Sequence, residues 1–455
     1  MITPNAIAEI INKLHHTNKY WVAYSGGLDS HVLLHLVAQS FPLEQITAIH
    51  INHGLSPHAD LWQEHCRKSC DQLNIAFHAI TVKAHPFPGQ SPEAAARIAR
   101  YDALLTLIEN NAALITAHQQ DDQAETVLLQ MLRGGGTAGL AAMPAKKIFG
   151  NGYLIRPLLH NTRADLLAYA QLNQLNWIDD ESNNDTRFDR NYLRLELFPI
   201  LSKRWSHIKT ILTKFAQQCA DDEVILQTMA QMDINYCQGE AENNLIISKL
   251  LQLNDIRQRN TLRYWLRDWE GIFPSRNIIE AIQLNILQAK HDAQPLIDWQ
   301  NMQILRYEDQ LYIIRELLPF DTQEILCWHD LKQHFYLPAK LGYLQATWEE
   351  NPIVPVLNLS SNAELTIRFR QGGERMHVVG RQGSHPLKKL FQEWHIPPWL
   401  RDRIPLIYLG DELIAVPGYG IAQEFAAQFG KSGYLINHLF FSSPRRGEGK
   451  SVFYI

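Results

Sequence analysis

The sequence predicts an α/β fold with a doubly wound parallel sheet, followed by a helical middle domain and a small α+β C-terminal domain. Three observations support this prediction. Apolar β-branched runs alternate with helical stretches from Lys19 onward, the strand pattern stops near Trp205, and alternation of apolar with basic residues begins at Leu365. Strands that alternate with helices of this length indicate a parallel sheet covered on both faces.

The predicted strands and helices of the first domain follow one another along the chain. The strands are short apolar runs, at Lys19–Tyr24, Gln45–Ile51, Ile75–Val82, Ala112–Ala117 and near Tyr153–Ile155. The helices repeat apolar residues at intervals of three and four, at Leu28–Gln39, Ala59–Leu73, Pro92–Asn110 and Asp121–Arg133. Ligands of such sheets bind beyond the carboxyl ends of the strands, where Ser25 and His118 fall.

Helical patterns dominate the middle of the chain, at Ile208–Gln231, Leu245–Trp269 and Arg276–Ala289, and strand-like alternation returns at 296–318. A proline-punctuated stretch then ends in the polar cluster Asn358–Asn362, which has the composition of a linker. The predicted domains are 1–210 for the α/β domain, 211–320 for the mainly helical domain, 321–363 for a linker region and 364–455 for a basic C-terminal domain. Ser442–Lys450 has the composition of a mobile tail.

Composition places the chain among folded soluble proteins, with 46% hydrophobic and 20% charged residues over 455 positions. The sequence has no apolar run of about 18 residues and no secretion signal, so we expect a cytoplasmic protein without a membrane partner. Its five cysteines are too few and too irregularly spaced for a disulfide framework. No obligatory protein partner is inferred.

Charge is unevenly distributed along the chain. The net charge is -5, but residues 361–455 contain 12 Lys and Arg against 8 Asp and Glu, which gives +4 there and leaves -9 for the rest. A basic face on one domain is sufficient for contact with nucleic-acid phosphates. The acidic balance of the whole chain therefore does not exclude an RNA partner.

The most informative segment is Ser25–Ser30, which reads Ser-Gly-Gly-Leu-Asp-Ser between an apolar run and a helical pattern. A glycine-rich turn of this kind exposes backbone N–H groups at the positive end of a helix, which favours phosphate binding. The Walker-type P-loop is excluded because no lysine follows Gly27. The alternative is a tight turn without a ligand, in which Asp29 and Ser30 serve the first helical turn.

A second segment, His118–Thr126, begins the predicted helix at Asp121 with three carboxylates. Helical spacing places Asp122 and Glu125 on one face, with Asp121 beside them. Close to a phosphate site, such a group can bind Mg²⁺ or an ammonium group. Alternatively, it is an acidic first turn that complements the helix dipole.

Three further elements each have two possible interpretations. Arg97 and Arg100, three apart on one helix, suit triphosphate or carboxylate recognition, or form a solvated face. The glycine-rich run Arg133–Leu140 is either a lid or an ordinary helix stop. His50 and His53 either line a nucleotide crevice or satisfy loop backbone, since two histidines without a third ligand make a weak zinc site.

In their order along the chain, these motifs resemble the PP-loop ATP pyrophosphatase superfamily and, within it, the long three-domain form of the tRNA(Ile)-lysidine synthetase family. The matching segments are 25–30, 50–55, 93–101, 118–126, 133–140, Arg-Pro-Leu at 156–158, Asp-Glu-Ser-Asn at 180–183 and Arg-Asn-Tyr-Leu-Arg at 190–194. The likeness continues at 379–381, 387–393 and 396–401. It is dense before Trp205 and after Leu365, and thin between them.

The resemblance implies a two-step reaction. ATP adenylates the C2 oxygen of the wobble cytidine of isoleucine tRNA with a CAU anticodon, and pyrophosphate leaves. The ε-amino group of free L-lysine then displaces AMP and gives lysidine. The resemblance thus implies ATP and Mg²⁺ as cofactors, catalysis by 1–210, and tRNA binding by 211–320 and 364–455.

The resemblance also implies roles for individual residues. ATP would be bound by Ser25, Gly26, Gly27, Leu28, Asp29, Ser30, Arg97 and His118. The expected catalytic residues are Asp29, Arg100, Asp122, Glu125 and Arg194, with Asp122 and Glu125 at the positions for lysine recognition. Asp29 and Asp121 are the candidate Mg²⁺ ligands. Arg190 and Arg194 would reach the nucleotide or the tRNA.

The basic residues of the C-terminal domain are the expected tRNA-binding residues, since they would follow phosphates without reading sequence. They are Arg368, Arg370, Arg375, Lys388, Lys389, Arg401 and Arg403. The alternative is a solvated charged rim.

Three rival functions remain. A tRNA thiolase of the same superfamily would need nucleophilic or cluster-binding cysteines, commonly as Cys-x-x-Cys pairs, which this sequence lacks. An amidating synthetase would usually depend on a glutaminase domain or partner. A non-catalytic adenine-nucleotide sensor with an RNA-binding tail would keep the glycine turn but would not require the acidic helix.

Overall fold

The structure is a computed structural model that describes residues 2–52, 54, 58–82, 92–239, 241, 243–290, 293, 295–315, 317–360 and 363–439. His53 and the expected tail at 442–450 lie outside the described residues. The chain forms two compact units, which divide between Ile225 and Leu226. Among the described helices, none combines the length and apolar character that a membrane span requires.

The first unit alternates helices with strands. Its strands are β1 (Tyr20–Ala23), β2 (Ile46–Asn52), β3 (Ala76–Thr81), β4 (Ala113–Ile115), β5 (Lys146–Phe149) and β6 (Gly152–Ile155). Its helices are α1 (Pro4–Leu14), α2 (Leu28–Ala38), α3 (Ala59–Gln72), α4 (Pro92–Leu105), α5 (Gln120–Leu132), α6 (Thr137–Leu140), α7 (Arg163–Leu172), α8 (Asp189–Tyr192), α9 (Phe198–Arg204) and α10 (Ile208–Cys237), which crosses the division between the units. Short 3₁₀ turns lie at Leu43–Gln45 and Glu181–Asn184, and a π-helical turn lies at Leu193–Leu197.

The strands form one sheet in the order β3-β2-β1-β4-β6-β5. All neighbours are parallel except β5 and β6, which form an antiparallel pair at one edge. The predicted parallel sheet is therefore confirmed, and β5 is an addition to it. Because β1 and β4 are neighbours, the segments that follow them lie at the same edge of the sheet.

The sheet is buried on both faces because alternate residues of its central strands point to opposite sides. Tyr20 and Val22 of β1 pack into one core, together with α2. Trp21 of β1 packs into the other core, with Leu114 of β4. The helix α2 carries eight buried residues, as expected for a helix that packs on several of its sides.

The second unit combines helices with antiparallel sheets. Its helices are α11 (Ile247–Leu250), α12 (Asp255–Glu270), α13 (Arg276–Ala281), which continues as a π-helical turn at Ile282–Leu287, α14 (Leu387–Glu393) and α15 (Pro398–Arg401). Its strands are β7 (Asn244–Ile246), β8 (Leu296–Trp299), β9 (Met302–Tyr307), β10 (Gln310–Arg315), β11 (Leu326–Trp328), β12 (Phe335–Tyr336), β13 (Tyr343–Glu349), β14 (Leu365–Arg368), β15 (Arg375–Met376), β16 (His385–Pro386), β17 (Leu406–Leu409), β18 (Glu412–Val416), β19 (Gly420–Ile421) and β20 (Gly433–Leu439). Single 3₁₀ turns lie at Pro338–Lys340 and Gln423–Phe425.

Four sheets organise these strands, in the orders β7-β10-β9-β8, β11-β14-β17-β18-β19, β12-β13-β20 and β15-β16. The first sheet packs with α12 and α13 around one core. The segment 321–363 differs from the linker predicted there, because it contains β11, β12 and β13. β12 pairs with β13, whereas β11 pairs with β14 and β13 with β20, whose residues lie farther along the chain.

Candidate active site

The turn between β1 and α2 is held by its own two serines. Ser30 Oγ donates a hydrogen bond to the Gly27 carbonyl at 2.9 Å and accepts one from the Ser25 N–H at 3.2 Å. Ser25 Oγ accepts weakly from the Gly27 N–H at 3.4 Å and lies 3.0 Å from Ser30 Oγ. The two hydroxyl groups therefore fix the shape of the turn from within.

Gly26 occupies a position that a larger residue would not fit. Its φ is +88°, in the left-handed region, and an added Cβ would lie 2.8 Å from Ile178 Cδ1 and 2.9 Å from Cys66 Sγ. The Gly26 carbonyl also accepts a hydrogen bond from the Ile178 N–H at 2.9 Å. Both backbone freedom and close packing therefore require glycine here.

The N-terminus of α2 is open. Gly27 is the N-cap residue, and no side chain of the described residues makes a capping hydrogen bond there. The N–H groups of the first turn have no partner within the helix, so they present positive partial charge where Ser25 is exposed. This arrangement suits an anion with several oxygens.

Asp29, in the first turn of α2, is a partly buried carboxylate with one unpaired oxygen among the described residues. Its Oδ1 is buried and has no hydrogen-bond partner among the described residues, while Oδ2 lies 3.5 Å from Arg163 Nη1 at the start of α7. Burial raises the pKa of Asp29 to about 6; Arg163 opposes this rise, Asp122 adds to it, and Arg194 opposes it. Asp29 is thus poised to receive a cation or a proton.

The start of α5 faces this turn, and a capping box of Gln119 and Asp122 stabilises it. The Gln119 side chain accepts from the Asp121 N–H at 2.7 Å, and Asp122 Oδ2 accepts from the Gln119 N–H at 3.0 Å. Burial raises the pKa of Asp122, whereas the Gln119 hydrogen bond and Arg194 lower it. Asp122 therefore serves both as a cap and as a charged group within electrostatic range of Asp29.

Glu125 lies one turn farther along α5 and is the most buried carboxylate of the site. Its side chain is 1% exposed. Its two oxygens accept from Arg194 Nε at 2.8 Å and from Arg194 Nη2 at 3.1 Å, and Nη2 also lies 3.5 Å from Asp122 Oδ1. Burial raises the pKa of Glu125 and Arg194 opposes the rise. The predicted pair of carboxylates thus shares one guanidinium.

Asp121, the third carboxylate, pairs with Lys209 at the start of α10. Both groups are largely buried, at 13% and 31% exposure of their side chains, and the Lys209 ammonium lies 5.4 Å from the centre of the Phe198 ring. Because one oxygen of Asp121 is taken by this ammonium, Asp121 offers only its other oxygen to a metal ion. Lys209 is a site residue that the sequence analysis did not identify.

The structure tests whether the acidic group can hold Mg²⁺. Among the residues described, no group of three or more acidic, His or Cys side chains is arranged to hold a metal ion. The buried and unpartnered Oδ1 of Asp29 nevertheless fits a cation, because Mg²⁺ is commonly bound by one or two carboxylates together with substrate phosphates. Asp29 fits this role directly, and Asp121 only in part.

Other predicted residues lie on β2 and α4 or directly after β4. His118 follows β4, and its Nδ1 lies 2.9 Å from Thr116 Oγ1. Arg100 is exposed on α4, whereas Arg97 is on the same helix but its side chain is outside the described residues. His50 is buried and its Nδ1 lies 3.0 Å from the Tyr24 carbonyl, which favours the interpretation that it satisfies the turn backbone.

The glycine-rich run after α5 becomes the short helix α6. Thr137, the first residue of α6, donates a hydrogen bond from its hydroxyl to Glu223 Oε2 at 2.8 Å. This bond connects the run to α10. Arg133, at the end of α5, forms an exposed ion pair with Asp189 at 3.1 Å. These contacts favour the interpretation of the run as a helix stop.

The missed residue Arg163 had a partial signal in the sequence. Thr162 and Asp165 form a capping box at the start of α7, and Arg163 is the first residue of that helix. The Thr-x-x-Asp spacing predicts the helix start, but no local pattern predicts that this start lies beside Asp29. Lys209 gave no signal, since it lies on a helix that the sequence assigned mainly to the next domain.

The basic residues of the C-terminal part separate into two groups. Arg368 donates to the Gly410 carbonyl at 2.8 Å, Arg370 to Asp402 at 2.9 Å, Arg401 to the Ile396 carbonyl at 2.9 Å and Arg403 to the Leu318 carbonyl at 2.9 Å. These four arginines stabilise the fold of their own unit. Arg375 also donates to the Ser384 carbonyl at 2.5 Å, whereas Lys388 and Lys389 on α14 are exposed.

Two cysteines of the first unit, both on α3, are structural. Cys66 and Cys70 are both fully buried on α3, and burial raises the pKa of each thiol to about 12. Such thiols are protonated near neutral pH and are poor nucleophiles. This environment argues against the thiolase alternative as far as these two residues are concerned.

Substitution of Asp29 gives a prediction about pH. Its folded pKa of about 6 lies above the ordinary 3.8, so the folded state binds more protons between these values and stability falls as pH rises through this window. Asp29→Asn removes the charge and should increase the free energy of unfolding at pH 8 by about 2–3 kcal/mol, with little change below pH 4. Denaturant unfolding at both pH values checks this, with Asp189→Asn, an exposed aspartate, as control.

The same variant should lose activity, because a group retained at a cost in stability is expected to serve function. A more stable protein that retains pyrophosphate release would show that Asp29 has no catalytic role. An unchanged stability at pH 8 would show that its burial is not costly.

Models of known protein families match three parts of the chain. The model of the PP-loop domain matches residues 2–201, that of the TilS substrate binding domain matches 245–312, and that of the TilS substrate C-terminal domain matches 365–438. The first match includes every residue of the site except Lys209. The other two lie within the second unit.

Relatives named tRNA(Ile)-lysidine synthase match nearly the whole chain. One from Coxiella burnetii is 43% identical over 431 residues, covering 94% of this chain and 95% of the relative. One from Legionella pneumophila is 39% identical over 430 residues, covering 93% and 96%. Among solved structures, a U34-tRNA thiolase from Methanococcus maripaludis aligns over 47% of this chain and 76% of its own, with 16% identity and a TM-score of 0.40.

Proposed function

We propose that this chain, which belongs to the tRNA(Ile)-lysidine synthase family, joins free lysine to the C2 position of the wobble cytidine of isoleucine tRNA with a CAU anticodon. The reaction would use ATP and proceed through an adenylated cytidine. The observation that carries the proposal is the meeting of two elements at one sheet edge. The open N-terminus of α2 and the carboxylates of α5 lie within electrostatic range of each other.

In the first step, the C2 oxygen of cytidine attacks the α-phosphorus of ATP, and the bond to the β-phosphate oxygen breaks. Negative charge then develops on pyrophosphate. The free N–H groups of the α2 start would bind this charge, and Arg163 would add a guanidinium beside them. Ser25 and Ser30 keep the turn in shape, while Arg97, Arg100 and His118 remain proposed nucleotide contacts.

Asp29 would hold Mg²⁺ through its unpartnered Oδ1, with Asp121 contributing at most the oxygen that Lys209 does not take. The ion would supply positive charge to the leaving phosphates. Burial, Asp122 and Asp121 oppose the ionised form of Asp29 that a metal ion requires, whereas Arg163 and Arg194 favour it.

In the second step, the ε-nitrogen of lysine attacks C2 and AMP leaves with the former C2 oxygen. The ε-ammonium group must first lose a proton. Asp122 and Glu125 would bind this ammonium group, and because burial raises the pKa of both carboxyls, either is a better proton acceptor near neutral pH than an exposed carboxylate. Water exclusion follows from their burial, which protects the adenylate from hydrolysis.

The second unit would hold the body of the tRNA. Lys388 and Lys389 are exposed on α14 and are available to phosphates, so they carry this part of the proposal best. Arg375 is exposed at its edge strand despite its bond to Ser384. Arg368, Arg370, Arg401 and Arg403 would contribute positive potential while their guanidinium groups hold the fold.

The deciding experiment supplies ATP, Mg²⁺, radiolabelled lysine and isoleucine tRNA with a CAU anticodon. The proposal expects pyrophosphate release that depends on this tRNA, and label in the tRNA only when lysine is present. Methionine tRNA, which carries the same anticodon, is the matched control and should not be labelled. Pyrophosphate release without any lysine incorporation would contradict the proposal.

Arg163 provides a further prediction for the first step. Its guanidinium is half-exposed and its only hydrogen bond among the described residues is the long contact to Asp29. Arg163→Ala should raise the KM for ATP about tenfold or more, because one charge-assisted contact to phosphate is worth roughly 1.5–3 kcal/mol. Initial rates of pyrophosphate release at varied ATP measure the effect.

The control for this variant is Arg276→Ala in the second unit. Arg276 forms an exposed i,i+4 ion pair with Glu280 and should leave the KM for ATP unchanged. Equal KM values for the Arg163 variant and the unaltered protein would remove Arg163 from the nucleotide site.

A further inference from the structure

The proposed ammonium site already contains a cation of the chain. Both oxygens of Glu125 accept hydrogen bonds from Arg194, at 2.8 and 3.1 Å, and the same guanidinium lies 3.5 Å from Asp122. Glu125 is 1% exposed, so it has no second approach open to solvent. The two carboxylates proposed to recognise lysine are therefore engaged before lysine arrives.

A second cation cannot join this arrangement without cost. An ammonium group placed on Glu125 would stand beside the guanidinium, and like charges at such a separation repel strongly in a buried site. Leaving Glu125 unpaired is also costly, because an isolated buried carboxylate loses its hydration without compensation. An exchange of one cation for the other avoids both costs.

We propose that Arg194 is the resident occupant of the ammonium site, and that free lysine replaces it on Glu125 and Asp122 when the guanidinium transfers to a phosphate group of the bound nucleotide. The inference rests on the proposed function and assigns to Arg194 a role in the order of substrate binding. Lysine would bind after ATP and tRNA have filled the site.

Arg194 is the more exposed partner of this pair. Its side chain is 29% exposed, against 1% for Glu125, so it can leave without unpacking α5. It lies in the π-helical turn Leu193–Leu197, and single π-helical turns are frequent at functional sites. Because of these features, the Arg194 guanidinium is less enclosed than one that is fully buried.

A phosphate group bound at the Ser25–Ser30 turn would lie near enough for this exchange. Arg194 is in electrostatic range of Asp29, the carboxylate of the phosphate-binding turn. A guanidinium presents the same paired donors to a phosphate as to a carboxylate. The move from Glu125 to a phosphate therefore replaces one bidentate partner with another of equal or greater charge.

The test measures binding of L-lysine to the protein without ATP or tRNA by calorimetry at pH 8. Arg194→Gln keeps an amide donor for Glu125 but removes the competing charge, and it should bind lysine at least tenfold more tightly than the unaltered protein. Arg194→Lys keeps the charge and should bind lysine as weakly as the unaltered protein. Arg133→Gln, an exposed arginine of the same unit, is the matched control and should change nothing.

A second measurement does not depend on any variant. In the unaltered protein, a non-hydrolysable ATP analogue with isoleucine tRNA should tighten lysine binding at least tenfold. In Arg194→Gln the same addition should change the affinity less than twofold, since the site is already vacant. Both results follow because the nucleotide would draw Arg194 away from the carboxylates that lysine binds, which couples the two ligands positively.

Weaker or unchanged lysine binding by Arg194→Gln would overturn the inference and indicate that Arg194 holds the carboxylates in place. The lysine-incorporation assay on the unaltered protein separates this failure from a wider one. Incorporation together with unchanged binding by Arg194→Gln contradicts only the exchange. Absence of incorporation contradicts the proposed function itself.

Discussion

Replacement of Gly26 by alanine is expected to abolish the ATP-dependent step and to destabilise the first unit. The backbone at this position has a φ of +88°, and the new methyl group would lie 2.8 Å from Ile178 Cδ1 and 2.9 Å from Cys66 Sγ. Left-handed strain and overpacking together should lower the free energy of unfolding by about 2–5 kcal/mol. Denaturant unfolding measures this directly.

The loss of activity should exceed what the loss of stability explains. Any relief of the clash moves the turn, and with it the N–H groups that would bind phosphate. Removing preorganised donors of this kind lowers rates by about a hundredfold or more. Pyrophosphate release should therefore fall at least this far under conditions in which the variant remains folded.

Alanine variants of two other glycines serve as controls that distinguish a packing effect from an effect on the phosphate site. Gly27 has a φ of -76° and an added Cβ would meet nothing nearer than 3.7 Å, so Gly27→Ala should cost no more than about 1 kcal/mol. Gly136 is also a helix N-cap residue, with a φ of -75° and open space around it, and Gly136→Ala should leave the KM for ATP unchanged. If Gly26→Ala behaves like Gly136→Ala, the shape of the turn does not matter and the phosphate site is elsewhere.

The parallel sheet could be predicted from the sequence, and so could the proximity of the Ser25–Ser30 turn to the acidic start of α5. Alternation of apolar runs and helices predicts the sheet, and ligands of such a sheet lie beyond the carboxyl ends of its strands. Asp29 and Asp122 each follow such an end, and β1 and β4 prove to be neighbours. Their proximity could thus be expected from local patterns alone.

The cations that complete the site could not be predicted in this way. Arg163 lies 134 residues from Asp29, and Lys209 lies 88 residues from Asp121. Each begins a helix whose own pattern is ordinary, and a charged residue at such a place is commonly solvated. Only the tertiary arrangement shows that these helix starts point to the carboxylates.

The strands within 321–363 could not be predicted from the sequence either, because their stabilising partners also lie far along the chain. β13 pairs with β20, so that Tyr343 lies opposite Leu439. The polar and proline-rich residues between short strands resemble a linker when the partner strand is not known. Antiparallel partners distant along the chain leave little local signal, in contrast to the helices of the first unit.

The largest effect on the second step is expected from Glu125→Gln. The change keeps the shape of the side chain but removes the charge that an ammonium group requires. Loss of one partner from a buried charge pair costs about 2–5 kcal/mol, which corresponds to at least about a thirtyfold rise in the KM for lysine. Lysine incorporation into isoleucine tRNA at varied lysine concentration measures this rise.

Adenylation should survive this change, because among the described residues Glu125 has no hydrogen bond or ion pair with the Ser25–Ser30 turn, and its partner Arg194 is 29% exposed. Pyrophosphate release in the first turnover should therefore remain within about threefold of that of the unaltered protein. The Arg194 guanidinium loses its carboxylate partner, but a partly exposed charge is solvated at little cost. Glu109→Gln removes the same charge from an exposed pair with Lys19 and should alter neither step. A Glu125→Gln protein with normal lysine kinetics would exclude this carboxylate from lysine recognition, whereas parallel loss of both steps would place it in the adenylation machinery instead.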